Sequence, residues 1–104
     1  MEEGLKLGGN IELTGFDLLN NNEMVVVKKI VGNYVRKLEG HCSDFNGVKL
    51  TMKPLHHTEQ KIKKFELHGQ VFNGGQVVPA SLTEHNVYVG VDAVFKKLMN
   101  EISS

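Results

Sequence analysis

The side chains best suited to chemistry in this chain are five histidines and one cysteine, namely His41, His56, His57, His68, His85 and Cys42. Zinc sites usually take ligand pairs separated by a few residues, as in Cys-x-x-Cys or His-x-x-x-His, and no such pair occurs here. His56 and His57 are adjacent, so in a strand their rings would point to opposite faces. We therefore expect no metal and no cofactor, and interpret the histidines as solvated loop residues. Stacking of His56 and His57 on RNA bases is an open alternative.

The sequence carries no catalytic pattern either. Its acids are scattered, no Ser-His-Asp arrangement appears, and Asn73-Gly74-Gly75 fits a hairpin turn better than a phosphate loop. Cys42 is the single cysteine, so the chain cannot form an internal disulfide. Proteins without disulfides are typical of the cytoplasm. We accordingly predict a cytoplasmic protein that is not an enzyme.

Positive charge is concentrated in the middle of the chain, although the formal net charge is zero. Residues 1–27 hold one Lys and five acids, residues 28–64 hold nine Lys or Arg and three acids, and residues 65–104 hold two Lys and four acids. The blocks therefore carry −4, +6 and −2. Such asymmetry indicates a basic surface that could meet a polyanion. Lysines that merely solvate the outer faces of helices and strands would give the same pattern.

A chain of 104 residues predicts one domain, 1–104, with a loose segment over residues 1–9. No run of about 18 apolar residues occurs, so we expect no membrane span. Apolar residues at helical spacing predict a helix from about Glu23 to Leu38, capped by Asn20–Asn22 and ended by Gly40 in the left-handed conformation. A second helix is predicted from Asn86, as N-cap, to about Ile102.

Alternating apolar and polar residues predict four strands, over residues 10–14, 47–53, 65–71 and 76–83. Pro54 to Lys63 reads as a connecting loop, and Pro79 indicates an edge strand or a bulge. The fold class is therefore α+β, a two-layer β-α-β-β-β-α sandwich. Its four-stranded mixed sheet carries two helices on one face, a topology like that of double-stranded-RNA-binding domains.

This arrangement predicts a basic outer surface on the two helices. Lys29, Arg36, Lys96 and Lys97 face away from the predicted apolar stripes, with Lys28 and Lys37 at the margins. These six residues are the candidate RNA-binding set.

Three motifs, in order, resemble the short form of the hibernation-promoting factor and ribosome-associated translation inhibitor family, also called the sigma-54 modulation protein family. Ile11-Glu-Leu-Thr-Gly15 is similar to that family's opening strand, and Tyr34-Val-Arg-Lys-Leu-Glu39 to the end of its first helix. The third is Phe72-Asn-Gly-Gly75 followed, after a strand, by Asn86-Val-Tyr-Val-Gly-Val-Asp92 and Lys97-Leu98. The similarity covers about residues 10–102.

The resemblance implies a ribosome-binding domain that occupies the mRNA and tRNA channel of the small ribosomal subunit and inhibits translation under stress. Its partner would be 16S-type rRNA, and the free protein would be a monomer. The resemblance supports Lys37 and Lys97 directly, because both lie inside matching motifs. A generic structured-RNA-binding module and a non-enzymatic protein-interaction domain are the alternatives.

Overall fold

Two long helices pack on one face of a single sheet in the computed structural model of the chain. The structure describes residues 5–6, 10–57 and 62–103. The strands are β1 (Leu5–Lys6), β2 (Ile11–Thr14), β3 (Phe45–His57), β4 (Ile62–Asn73) and β5 (Gln76–Glu84), and the helices are α1 (Asn21–His41) and α2 (Val87–Ser103). A 3-10 helix, Phe16–Leu18, connects β2 to α1.

The strands are ordered β1-β2-β3-β4-β5 across the sheet. β2 is parallel to β3, as a crossover through α1 requires, whereas the other neighbouring strands are antiparallel. The predicted α+β class and mixed sheet with two helices are therefore confirmed. The two-residue strand β1 pairs Leu5 with Leu13 beside β2 and is an addition that the sequence did not predict.

The β3–β4 hairpin is longer than the sequence predicted. Pro54 to Lys63 was expected to be a loop, but β3 continues to His57 and β4 begins at Ile62. The register shifts between Pro54 and His56 and again between His56 and His57, and such bulges interrupt the alternation that marks a strand in a sequence. The loop prediction is therefore wrong at both ends, and His56 and His57 belong to a strand.

Helix α1 begins with a capping box. Asn20 Oδ1 accepts from the Glu23 backbone N–H at 2.8 Å, and Glu23 Oε1 accepts from the Asn20 N–H at 2.9 Å. The predicted end at Gly40 is wrong, because Gly40 stays helical and the helix continues to His41. There the backbone N–H of Cys42 still donates to the Leu38 carbonyl at 2.8 Å, while burial of the Cys42 side chain holds the chain against the core.

The second half of the fold follows its sequence signals closely. Gly74 and Gly75 take φ of 56° and 87°, the positive values that a two-residue hairpin turn needs. Pro79 lies in the outermost strand, as predicted. Asn86 is the N-cap of α2, where its side-chain oxygen accepts from the backbone N–H groups of Tyr88 at 2.9 Å and Val89 at 3.1 Å.

The hydrophobic core lies between the helices and the sheet. Its fully buried side chains alternate along the strands and recur at helical spacing, and include Leu13, Val27, Val31, Leu38, Leu50, Leu67, Val71, Val91, Val94, Phe95 and Leu98. Ile30, Tyr88 and Ile102, which lie at helical spacing from the buried residues, are half-buried at its margin. The opposite face of the sheet, here called the uncovered face, carries no helix from residues 5–6, 10–57 or 62–103. No helix in the described part of the chain is long and apolar enough to cross a membrane.

Candidate nucleic-acid interface

Helices α1 and α2 contact each other through a stacked aromatic pair. The rings of Tyr34 and Phe95 are nearly parallel, 2° apart in plane, with centroids separated by 4.9 Å. Phe95 is fully buried and Tyr34 is 8% exposed. The stack fixes the two helices at a set spacing, so side chains on their outer surfaces keep fixed relative positions.

A carboxylate lies at the solvent end of this contact. Asp92 Oδ1 accepts the hydroxyl hydrogen of Tyr34 at 2.7 Å, and Asp92 Oδ2 lies 3.0 Å from Lys96 Nζ, one helical turn further on. The hydrogen bond from Tyr34 and that from Lys96 lower the pKa of Asp92. Burial, together with the hydrogen bond and charge of Asp92, raises the pKa of Tyr34 to about 12. Asp92 is therefore a fixed anion that ties both helices together.

Lys37 completes this junction from the α1 side. Its Nζ lies 5.1 Å from the centroid of the Tyr34 ring, within the range of a cation–π contact, and its charge also lowers the pKa of Asp92. Lys37 and Lys96, which belong to different helices, thus flank one carboxylate. The structure brings these two predicted residues together.

Lys29 and Arg36 lie on the outer side of α1, opposite its buried stripe, and both are exposed. Arg36 Nη1 donates to Asn33 Oδ1 at 3.1 Å, which holds the guanidinium along the helix surface. Lys28 is also exposed, but helical spacing puts it on the Val35 flank, on the side of α1 away from Tyr34. The outer helix surface, defined here as Lys29, Arg36, Lys37 and Lys96, therefore holds four of the six predicted cations.

Lys97 does not join this surface. It is exposed, yet its Nζ donates to the backbone carbonyl of Ser81 in β5 at 3.1 Å. One residue along a helix is a rotation of about 100°, which turns Lys97 from the outer side, where Lys96 lies, toward the sheet edge. The sequence predicted that Lys96 and Lys97 share one surface. In the structure Lys96 lies beside Asp92 on the outer side, whereas Lys97 points toward strand β5.

Two residues of the junction were not recognised from the sequence as part of a surface. In the sequence, Tyr34 and Asp92 stand out only as members of the motifs that carry the family resemblance. The spacing of Asp92 and Lys96, i to i+4 on one helix, was the available signal. The contact of Tyr34 with Asp92 joins residues 58 positions apart, and no local pattern reveals it.

The described histidines and Cys42 do not form one cluster. Among the described residues no group of three His, Cys, Asp or Glu side chains could hold a metal ion. His41 Nδ1 lies 2.8 Å from the Lys37 carbonyl, while His68 Nε2 lies 3.0 Å from Glu66 Oε1 and lowers the pKa of that carboxyl. Burial raises the pKa of the Cys42 thiol. The suggested stacking of His56 and His57 on RNA concerns side chains outside the described part.

The uncovered face carries a shallow groove of about 280 Å³ that the sequence did not indicate. Its polar lining includes Lys49, Thr51, His68, Gln70 and Ser81 from three neighbouring strands. Thr51, His68 and Ser81 form one row across the sheet, because the register pairs them in turn. With Glu66 beside His68, this face is of mixed charge.

No family model and no curated protein matches the sequence. Solved structures do match the fold. The N-terminal domain of Protein Y from Thermus thermophilus superposes with a TM-score of 0.54 at 15% identity, covering 80% of this chain and 81% of that chain. A ribosomal subunit interface protein from Coxiella burnetii gives 0.57 at 14% identity, covering 90% of this chain and 91% of that chain. The fold that the resemblance implied is confirmed.

Proposed function

We propose that this chain binds the small ribosomal subunit through the outer helix surface, with its cations against 16S-type rRNA phosphates. Bound in the mRNA and tRNA channel, it inhibits translation under stress. The observation that carries the proposal is the gathering of Lys29, Arg36, Lys37 and Lys96 on two helices locked by the Tyr34–Phe95 stack. The sequence resemblance and the fold shared with a ribosomal subunit interface protein support the choice of partner.

The chemistry of the surface suits a phosphate backbone. Arg36 offers a planar fork that can bridge two phosphate oxygens, whereas the lysines act as point charges. Each phosphate contact releases condensed counterions, and this release supplies most of the affinity of proteins for nucleic acids. Because the helices are already fixed, the cations need little ordering on binding, which lowers the entropic cost.

Inhibition of this kind needs no reactive group. A rigid body that fills a channel excludes mRNA and tRNA by volume, and the stacked helices over a sheet provide such a body. The proposal accordingly assigns no residue a catalytic role.

A pair of matched double variants tests the proposed surface. Lys29→Glu with Arg36→Glu reverses two charges on the outer helix surface, and Lys49→Glu with Lys53→Glu reverses two on the uncovered face. We expect the first pair to weaken co-sedimentation with purified small subunits at low salt by at least about tenfold, since two attractive contacts become repulsive. The second pair should bind nearly as the original does.

Circular dichroism and thermal unfolding must show that both double variants remain folded. Full binding by the helix-surface variant would refute the proposed surface. Equal losses of binding in both variants would mean that the attraction is unspecific and depends on charge alone.

An excess of double-stranded RNA distinguishes the alternative functions. If this RNA competes with the small subunit for the chain, a generic structured-RNA-binding module is favoured. If the chain is absent from the ribosomal fractions of starved cells, ribosome binding is excluded and a protein-interaction domain is favoured.

A further inference from the structure

Strand β5 forms one edge of the sheet, and its register shows which backbone groups point outward. In an antiparallel pair, residues that exchange both hydrogen bonds with the partner alternate with residues whose N–H and C=O point away. Asn73 pairs with Gln76 across the two-residue turn, so positions 76, 78, 80, 82 and 84 bond to β4. Positions 77, 79, 81 and 83 therefore face outward.

Two observations agree with this assignment. Pro79 has no backbone N–H and occupies an outward position, where no ladder hydrogen bond is lost. The carbonyl of Ser81 accepts from Lys97 Nζ at 3.1 Å, so this oxygen points away from β4. Pro79 and Lys97 thus both reduce the hydrogen-bonding capacity of the same stretch of the edge, one by lacking an N–H and the other by occupying a carbonyl.

We propose that the edge of β5 is a self-complementary surface for a second copy of this chain, and that Lys97 keeps it closed. An edge strand with unpaired N–H and C=O groups is a template for another strand, and proteins commonly protect such edges with Lys and Pro. Among the described contacts, Lys97 is the side chain that covers this edge, because Pro79 removes a donor but leaves its own carbonyl available.

One symmetric register illustrates how the outward groups of two antiparallel copies can meet. Placing residue 77 opposite residue 83 puts residue 79 opposite residue 81, and a two-fold axis then passes beside residue 80. The Ser81 N–H of each copy would donate to the Pro79 carbonyl of the other. The N–H that Pro79 lacks would have faced the Ser81 carbonyl, which is the oxygen that Lys97 already occupies.

Lys97 closes this surface in two ways. Paired strands lie about 4.8 Å apart, so an ammonium 3.1 Å from the Ser81 oxygen stands where the second strand would run. In the symmetric arrangement both Lys97 ammonium groups would also meet near the axis, and like charges at short range repel. Val77, which is 49% exposed near one end of this edge, would be partly covered by the second copy when the strands pair.

The lysine on the adjacent position provides a matched control. Lys97→Ala should self-associate at concentrations where the original chain is monomeric, with a light-scattering mass of about twice 11.6 kDa. Lys96→Ala, which removes the same charge from the same helix, should stay monomeric. Lys97→Met is measured alongside, since it keeps an unbranched apolar side chain and removes the charge.

A second substitution locates the contact. Thr83→Pro removes an outward N–H without breaking a bond to β4, so the Lys97→Ala, Thr83→Pro double variant should return to the monomer. A folded Lys97→Ala or Lys97→Met chain that remains monomeric at millimolar concentration would overturn the proposal. So would a dimer that persists with Thr83→Pro. Neither outcome depends on whether the chain binds ribosomes.

Discussion

At the scale of single residues, Asp92 stands out as an acid inside a surface proposed to bind polyanions. It accepts the Tyr34 hydroxyl at 2.7 Å and pairs with Lys96 at 3.0 Å, while Lys37 lies over the adjoining ring. Its charge offsets part of the positive potential of the outer helix surface, yet its hydrogen bond joins α1 to α2. Asp92 therefore helps to hold the cations in position, but its negative charge lowers the positive potential of the surface.

The ionisation of Tyr34 reports directly on this contact. Its pKa of about 12 results first from burial and then from the hydrogen bond and charge of Asp92. Asp92→Asn should lower that pKa while leaving it above the ordinary 10.0, because burial remains. Ultraviolet titration of tyrosinate checks this, with Tyr34→Phe as the control in which the late transition disappears. An unchanged transition in Asp92→Asn would contradict the contact.

The same shift fixes the sign of a stability effect. Because the pKa of Tyr34 is raised on folding, its contribution is fully present below about pH 10 and is lost as the pH rises through about 12. Urea unfolding of the original chain should therefore show a loss of stability in this alkaline window that Tyr34→Phe lacks.

At the scale of elements, regular patterns were predictable and irregular ones were not. The alternation of Val48, Leu50 and Met52 and the cap at Asn86 were local signals, and the structure confirms them. The continuation of β3 beyond Pro54 depends on pairing with β4 through two register shifts, which no local pattern encodes. Likewise, Lys97 turns away from the surface predicted to include Lys96 because its ammonium group bonds to Ser81, in a strand that is distant in sequence.

Two glycines in different elements should respond to the same substitution with opposite sign. A Cβ on Gly32, within α1, would meet nothing within 4 Å, whereas one on Gly69, in β4, would lie 3.0 Å from Leu98 Cδ1 and 3.2 Å from Leu50 Cδ2. Gly32→Ala should stabilise the fold by up to about 1 kcal/mol, because alanine favours the helix. Gly69→Ala should cost about 1–3 kcal/mol by overpacking α2 against the sheet.

Chemical denaturation of the two variants measures both values under identical conditions. Each change adds one methyl group, so the two values differ through the space around the new methyl group and through the backbone preference of each element. A stable Gly69→Ala chain would mean that α2 does not pack as closely on β4 as the structure shows.

At the scale of the whole molecule, cations from the basic central block of the sequence lie on both sides of the sheet in the described part of the chain. Lys28, Lys29, Arg36 and Lys37 lie on α1, whereas Lys49 and Lys53 lie on the uncovered face, where Glu66 is a close neighbour. The charge of +6 counted along residues 28–64 is therefore not the charge of any one surface. A zero net charge is compatible with binding to RNA because four cations of the helix pair are grouped on the outer helix surface.

This grouping predicts how salt should affect binding to the small subunit. The logarithm of the binding constant should fall linearly with the logarithm of salt concentration, because each phosphate contact releases counterions. Removing one contacting cation, as in Lys37→Ala, should reduce the magnitude of the slope by about 1 and weaken binding at low salt. Lys53→Ala removes the same charge from the opposite side of the sheet and should leave the slope unchanged. Filter binding or sedimentation across a salt series distinguishes the two, and equal slope changes would mean that overall charge, rather than the outer helix surface, governs the encounter.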